Sequence, residues 1–490
     1  MIHKQLNIRL RFCYILTAYA FLIICSIPLT IYSQYSWTPH QLKTIHYDLD
    51  LKIDFKEKRL QAICVMTINR NNKNPDTVIP LLLYRLMKVR SIKDDYGNNL
   101  RFRQRIMSFE DWETYQANFI EVSVPKNFLK SANYKLIINY EGFLWGYTET
   151  GNSYVKDQIK PEFTIIRPDC LAYPELGFPS AKINRAAGFA PSFNYKLKIT
   201  VPDSLTVVNG GQLVSKINSN GNTIYNFKNT KLAWRIDIVI GKYKTLDHPI
   251  LKIHYLEQDQ AGAETVLRYA RNAIALYSKW WGNLKELPIF SIIEIPSGYG
   301  SQADETCILQ SADVFLDSLQ MRQLYHELSH LWNVNPTDQF YPRWNEGLAS
   351  FVEYLTIEKL ENRPYLDYIT DWYLKLLKKE IASDSLLKMT PFIEFSKKGI
   401  QSYAYEVGML MFRILYEVMG ETNFNKCIAT YYSRYYLTGA TTDQFVETAI
   451  QTGGNHLIEF FKDWMYTTNY TQLISSGLPI KEMSKLYTRH

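Results

Sequence analysis

The sequence predicts an α+β protein of more than one domain, with an all-β N-terminal part followed by a mostly helical part. Three observations predict it. The chain has 490 residues, and one core rarely serves more than about 250–300. Up to about Leu246, apolar and polar residues alternate with the period of a strand. From about Ala263 the apolar residues recur at helical spacing instead.

The elements follow in order. Tyr47–Phe55 and Tyr195–Val201 alternate strictly, as half-buried strands do. Asn209-Gly210-Gly211 marks a turn. Asn218–Asn222 holds Asn-Gly between two strand-like runs, which predicts a hairpin. Ile236–Gly241 reads as a strand. Thr265–Trp281 reads as a helix and Ile289–Ile295 as a strand. Helices are predicted over Leu319–Trp332, Asn345–Leu360, Tyr403–Met419 and Gly454–Trp464. In the second of these, Leu348, Phe351, Val352 and Leu355 share a face. The sequence holds no internal repeat and no low-complexity tract.

The N-terminus carries Lys4, Arg9 and Arg11 and no acid, and Phe12–Tyr32 is almost wholly apolar. A basic start before an apolar run predicts a secretory signal or an uncleaved membrane anchor over residues 1–33. The chain should therefore be exported: periplasmic, extracellular or membrane-anchored. Any membrane association should come through this segment only. The formal charge of +7 falls to +4 without those three cations, too mild a balance to argue for nucleic acid. Cys64, Cys170, Cys307 and Cys427 lie far apart and form no CxxC pair. An exported protein could pair them in a disulfide, but buried free thiols are the favoured reading.

The chemistry concentrates in His326-Glu327-Leu328-Ser329-His330, followed by Arg343-Trp344-Asn345-Glu346-Gly347. Histidines at i and i+4 lie on one helix face, one turn apart. Their imidazoles can grip one Zn²⁺ from the same side. Glu327, beside the first histidine, is placed to act as general base. A catalytic zinc site needs a third ligand, and Glu346 at the start of the next helix fits. Glu353, two turns further along, is either an orienting partner for a ligand histidine or an ordinary surface acid.

This half resembles the zinc aminopeptidases of the aminopeptidase N and leukotriene-hydrolase type, gluzincins with a thermolysin-like catalytic domain. The zinc motifs carry the resemblance, together with Arg167–Pro174, Trp234–Gly241, Tyr405-Glu406-Val407-Gly408 and Leu457–Trp464. It implies a saddle-like β domain over residues 34–246, a peptidase domain over 247–470 and a tail over 471–490. It implies zinc held by His326, His330 and Glu346, peptide substrates, and Tyr405 as the donor to the oxyanion. Tyr403 competes for that last role.

The sequence departs from the family in three places. Fifteen residues separate His330 from Glu346, three fewer than is usual, and the missing ones fall in a loop. The Gly-x-Met-Glu-Asn motif is absent. Its counterpart holds Gly300, Ser301 and Gln302, the expected substrate-binding residues, with Asp304 or Glu305 as substitutes for the missing carboxylate. The chain also ends 85 residues after Tyr405, which predicts a more open cleft. The resulting expectation is an exported zinc metallopeptidase of aminopeptidase-like character. The alternatives are an endopeptidase without free-amine selectivity and a non-catalytic peptide-binding protein on the same fold.

Overall fold

The computed structural model describes residues 42–488, apart from 71–77, 126–127, 129–130, 188–192, 230, 285–289 and 305. The apolar run Phe12–Tyr32 lies outside them. Among the described residues no helix is long and apolar enough to cross a membrane.

The N-terminal half is built from sheets. The largest has seven strands, in the order Gln212–Ser219, Asn222–Lys228, Asn194–Pro202, Leu42–Asp54, Arg59–Arg70, Asn133–Phe143 and Met87–Lys93. The expected alternation is seen directly. Along Leu42–Asp54, Tyr47, Leu49, Leu51 and Ile53 are buried while their neighbours face outward. The Asn-Gly hairpin also forms. Ser219 pairs with Asn222 across Asn220 and Gly221, at φ 52° and 74°. A two-residue turn that matches strand twist needs positive φ at both positions.

The second half contains more sheet than its sequence pattern predicts. Five strands run in the order Tyr243–His248, Leu251–Leu256, Phe290–Ile295, Cys307–Ser311 and Gln302–Ala303. The sheet starts at Tyr243, so the boundary expected at residue 246 falls inside a strand. Helices follow, chiefly Gln260–Trp281, Met321–Ser329, Trp344–Glu361, Leu366–Ser383 and Ala404–Tyr435. The last is interrupted at Gly420, φ 71°, immediately after the predicted end at Met419.

Residues 471–488 are not a tail. They continue Asn469–Ser476 and form Ile480–Lys485. Ile474, Ile480, Met483 and Tyr487 are buried in the helical core. These apolar side chains give the segment its own packing face, as burial of apolar surface requires.

A small apolar cluster joins the halves. Phe163, Ile165, Val208 and Val239 from the β half meet Ile293, Ile295, Cys307 and Leu309 from the five-stranded sheet. This seam brings the β half against the edge strand Gln302–Ala303. The four cysteines considered above are all free and buried.

Candidate metal centre and its cleft

The helix Met321–Ser329 presents His326 in its last turn, and His330 opens the short 3₁₀ turn that follows. Two side chains anchor the helix and the turn after it. The Tyr325 hydroxyl donates to Glu361 at 3.0 Å, and Trp332 Nε1 donates to the Gly282 carbonyl at 2.9 Å. The helix Trp344–Glu361 supplies Glu346 from its first turn. Buried Trp344 stacks on Phe445 at 4.2 Å and holds that turn in place.

The two helices bring the three candidate ligands together. One ligand atom each from His326, His330 and Glu346 lies within 4.8 Å of the other two. Glu346 Oε2 is 3.4 Å from His326 Nε2 and 3.5 Å from His330 Nε2. Both imidazoles thus turn Nε2 inward. Their Nδ1 atoms are held from behind. Glu353 Oε2 sits 3.0 Å from His326 Nδ1, and Glu353 Oε1 accepts from Arg322 at 3.0 Å. The Asn333 side-chain amide is 2.7 Å from His330 Nδ1. An imidazole that offers Nε2 to a metal must carry its proton on Nδ1, so the amide must meet it with oxygen.

The electrostatics suit a cation. Burial disfavours charge on His326, but Glu346 and Glu353 outweigh it and lift its pKa to about 10. Burial also opposes charge on Glu346, yet His330, His326 and Arg343 hold its carboxyl well below the ordinary range. A cluster that stabilises positive charge between two nitrogens and a carboxylate fits a divalent ion of the zinc type. Glu327 is 9% exposed, and burial raises its pKa.

Tyr405 lies beside this cluster. Its ring is near-parallel to that of His326, with centroids 6.1 Å apart. Its hydroxyl accepts from Arg343 Nη2 at 3.2 Å. Burial and then Glu346 raise its pKa, so the phenol stays neutral. The Tyr403 hydroxyl points elsewhere, to Asp384 at 3.2 Å and Glu380 at 3.5 Å.

The expected substrate-binding residues lie in the edge strand Gln302–Ala303 and just before it. Gly300 precedes the edge strand with φ 73°. The Ser301 hydroxyl accepts from Gln310 at 2.9 Å and from the Ser311 N–H at 3.0 Å, so it braces the sheet. Gln302 Nε2 donates to Asp169 Oδ1 at 2.8 Å. Asp304 caps its own turn, accepting from the N–H groups of Thr306 and Cys307 at 2.7 and 2.9 Å. It is therefore committed to the turn and does not replace the missing carboxylate. Glu305 lies outside the described residues. The acid that meets the edge strand is Asp169, from the β half. Arg235 and Arg167 hold its carboxyl far below the ordinary range despite burial.

Residues 305–464 match the peptidase family M1 domain. The chain carries an M1 peptidase domain. Among curated relatives, leucyl aminopeptidase of Saccharolobus solfataricus is 21% identical over 317 residues, 58% of this chain and 40% of that one. Glutamyl aminopeptidase of Rattus norvegicus is 19% identical over 485 residues, 90% of this chain and 48% of that one. The chain thus spans about half or less of the length of these relatives. Among solved structures, the M1 zinc metallopeptidase of Deinococcus radiodurans superposes with a TM-score of 0.61 at 17% identity, covering 86% of this chain and 93% of its own. Yeast LTA4 hydrolase with bestatin gives 0.62 at 15% identity, covering 90% and 72%. These likenesses bear out the fold: an M1-type β domain followed by a helical domain that holds the metal cluster.

Three neighbours of the candidate site are given no role by the sequence alone. Arg343 stands inside the quoted motif, but no spacing rule marks it. Asn333 lies in the shortened loop, and Asp169 sits far away in sequence.

Proposed function

We propose that the protein is an exported zinc metallopeptidase of aminopeptidase-like character that hydrolyses peptide bonds. One observation carries this reading: the donor atoms of His326, His330 and Glu346 converge, with Tyr405 beside them and Glu327 close enough to feel all three. His326, His330 and Glu346 would hold the zinc. When bound there, zinc supplies a Lewis acid that polarises the scissile carbonyl and acidifies water. Glu327 takes a proton from the attacking water as the new C–O bond forms. It passes that proton to the leaving nitrogen as the C–N bond breaks. Burial strengthens Glu327 as a base by raising its pKa. The neutral Tyr405 hydroxyl donates to the developing oxyanion. The edge strand Gln302–Ala303, paired with Cys307–Ser311, offers backbone groups to an extended peptide. Export rests on the basic and apolar N-terminal sequence.

Gln302 favours a second reading of specificity. It presents an amide, already donating to Asp169, where a strict aminopeptidase needs a carboxylate. A peptidase that ignores the free amino terminus is consistent with that.

The test combines metal analysis with turnover on a panel of short peptides. The protein should bind one zinc through the cluster, and His326→Ala, His330→Ala and Glu346→Gln should each lose most of it. Glu327→Gln should keep zinc and lose roughly 10²–10⁴ in kcat. A zinc-loaded chain that cleaves nothing in the panel would favour a non-catalytic peptide-binding protein.

A further inference from the structure

The geometry points to Arg343 as a positioning residue that fixes how Glu346 meets the metal and how Tyr405 aims its hydroxyl. The inference rests on the metal-site reading above. Arg343 Nη2 donates to Glu346 Oε1 at 3.0 Å and to Tyr405 Oη at 3.2 Å. One nitrogen therefore ties together a ligand and the proposed oxyanion donor.

The two contacts have separate consequences. Glu346 turns Oε2 towards both histidines. With Oε1 held by Arg343, the carboxylate offers one oxygen inward rather than two. That leaves more of the coordination sphere open, as a catalytic site requires. At Tyr405, the guanidinium occupies a lone pair of the phenol oxygen. The phenol proton must then point away from that cation, towards the Glu346 carboxylate, from which a substrate oxyanion would take it over. The guanidinium carbon also lies 5.6 Å from the centroid of the Tyr405 ring.

The backbone supports a functional demand. Arg343 is the N-cap of the helix Trp344–Glu361, at φ 64° and ψ 33°, and it makes no side-chain capping bond. Residues other than glycine rarely adopt this left-handed conformation, and it persists where surroundings impose it. Capping does not account for it here, whereas delivery of the guanidinium between Glu346 and Tyr405 does. The Arg343 side chain is 42% exposed, but its partner Glu346 is only 13% exposed, and the same nitrogen also reaches Tyr405, which a simple surface ion pair does not explain.

Cobalt substitution gives a readout independent of turnover. Arg343→Ala and Arg343→Gln should each bind one Co²⁺ and unfold at a temperature close to that of the parent. Their visible spectra should weaken and shift to shorter wavelength as Glu346 becomes bidentate and the coordination number rises. With zinc, kcat should fall by roughly 10-fold to 10²-fold, on the scale of a displaced oxyanion donor, while KM changes little. Arg343→Lys, which keeps the cation and its donors but loses the planar guanidinium and some reach, should recover part of the kcat. An unchanged cobalt spectrum together with an unchanged kcat in both variants would overturn the proposal. So would a rise in KM at constant kcat, which would make Arg343 a substrate contact. A parent protein that binds no cobalt would instead bring down the metal-site reading itself.

Discussion

Gly347 and Gly408 lie backbone to backbone where the helices Trp344–Glu361 and Ala404–Tyr435 cross. A Cβ on Gly347 would come within 2.4 Å of the Gly408 Cα, and one on Gly408 within 2.7 Å of the Gly347 Cα. No side chain fits between them. Glu346 precedes the first glycine, and Tyr405 lies one turn before the second. The close crossing is what sets ligand and phenol side by side.

Gly408→Ala should therefore damage both stability and turnover. Overpacking of this kind costs about 1–3 kcal/mol, readable from urea unfolding. The displaced Tyr405 should lower kcat further, with zinc retained. A variant equal to the parent in both measurements would mean that the helices can part without consequence.

Tyr405→Phe should keep zinc and lose on the order of 10²–10³ in kcat, the scale for one oxyanion donor. Tyr403→Phe should change kcat far less, because its hydroxyl is directed to Asp384 and Glu380. Parallel kinetics on the two variants decide the assignment. A larger loss in Tyr403→Phe would reverse it.

Glu353→Gln should weaken zinc binding by about 10–100-fold, the range for partners that orient a ligand histidine. The cause is the lost 3.0 Å contact to His326 Nδ1. Competition with a chelator measures it. Unaltered affinity would make Glu353 an ordinary partner of Arg322.

The candidate ligands were legible because His326 and His330 sit at a spacing that helix geometry fixes and Glu346 opens the next helix in a recognisable Asn-Glu-Gly. The strands were legible where one face is buried and the other wet, as at Leu42–Asp54. In the second half the continuous apolar run made Phe290–Ile295 legible as a strand. Cys307–Ser311 is also buried on both faces, so no alternation marks it, and it was not read. The helix Thr442–Gly453 escaped notice because its apolar residues are sparse among polar ones, and Leu366–Ser383 escaped although Leu366, Ile369, Leu377 and Ile381 recur at helical spacing. Asp169 reaches Gln302 across 133 residues of sequence, which no local pattern encodes, whereas Arg343 and Asn333 lie only three residues from Glu346 and His330 and escaped because no spacing rule assigns them a role.

Glu294 predicts a pH dependence of stability. Burial in the five-stranded sheet raises its pKa from the ordinary 4.5 to about 8. The unfolded chain ionises this group at the lower value, while the folded chain keeps its proton. Stability from the neutral carboxyl is full below the unfolded pKa and is lost as pH rises towards about 8. Glu294→Gln removes the titration. Its melting temperature relative to the parent should thus improve between pH 5 and pH 9. A difference that stays constant over that span would contradict the raised pKa.

Specificity follows from what faces the edge strand. Gln302 Oε1 is buried without a hydrogen-bond partner, while Nε2 donates to Asp169. An α-ammonium could donate to that oxygen, but an amide is a weaker partner for a cation than a carboxylate. Asp169 is itself taken up by Arg235 at 2.6 Å, so its charge is largely offset. Discrimination between free and N-acetylated peptides should therefore be weak. The comparison is kcat/KM for two peptides that differ only in the acetyl group. A ratio above about 10³ in favour of the free amine, near 4 kcal/mol, would contradict this and assign a carboxylate to the amine. Asp169→Asn and Asp304→Asn would then separate the two candidates. A collapse of the ratio in the first alone would show that the β half reads the amino terminus through Gln302, whereas a collapse in the second would mean that the turn at Asp304 opens when substrate binds.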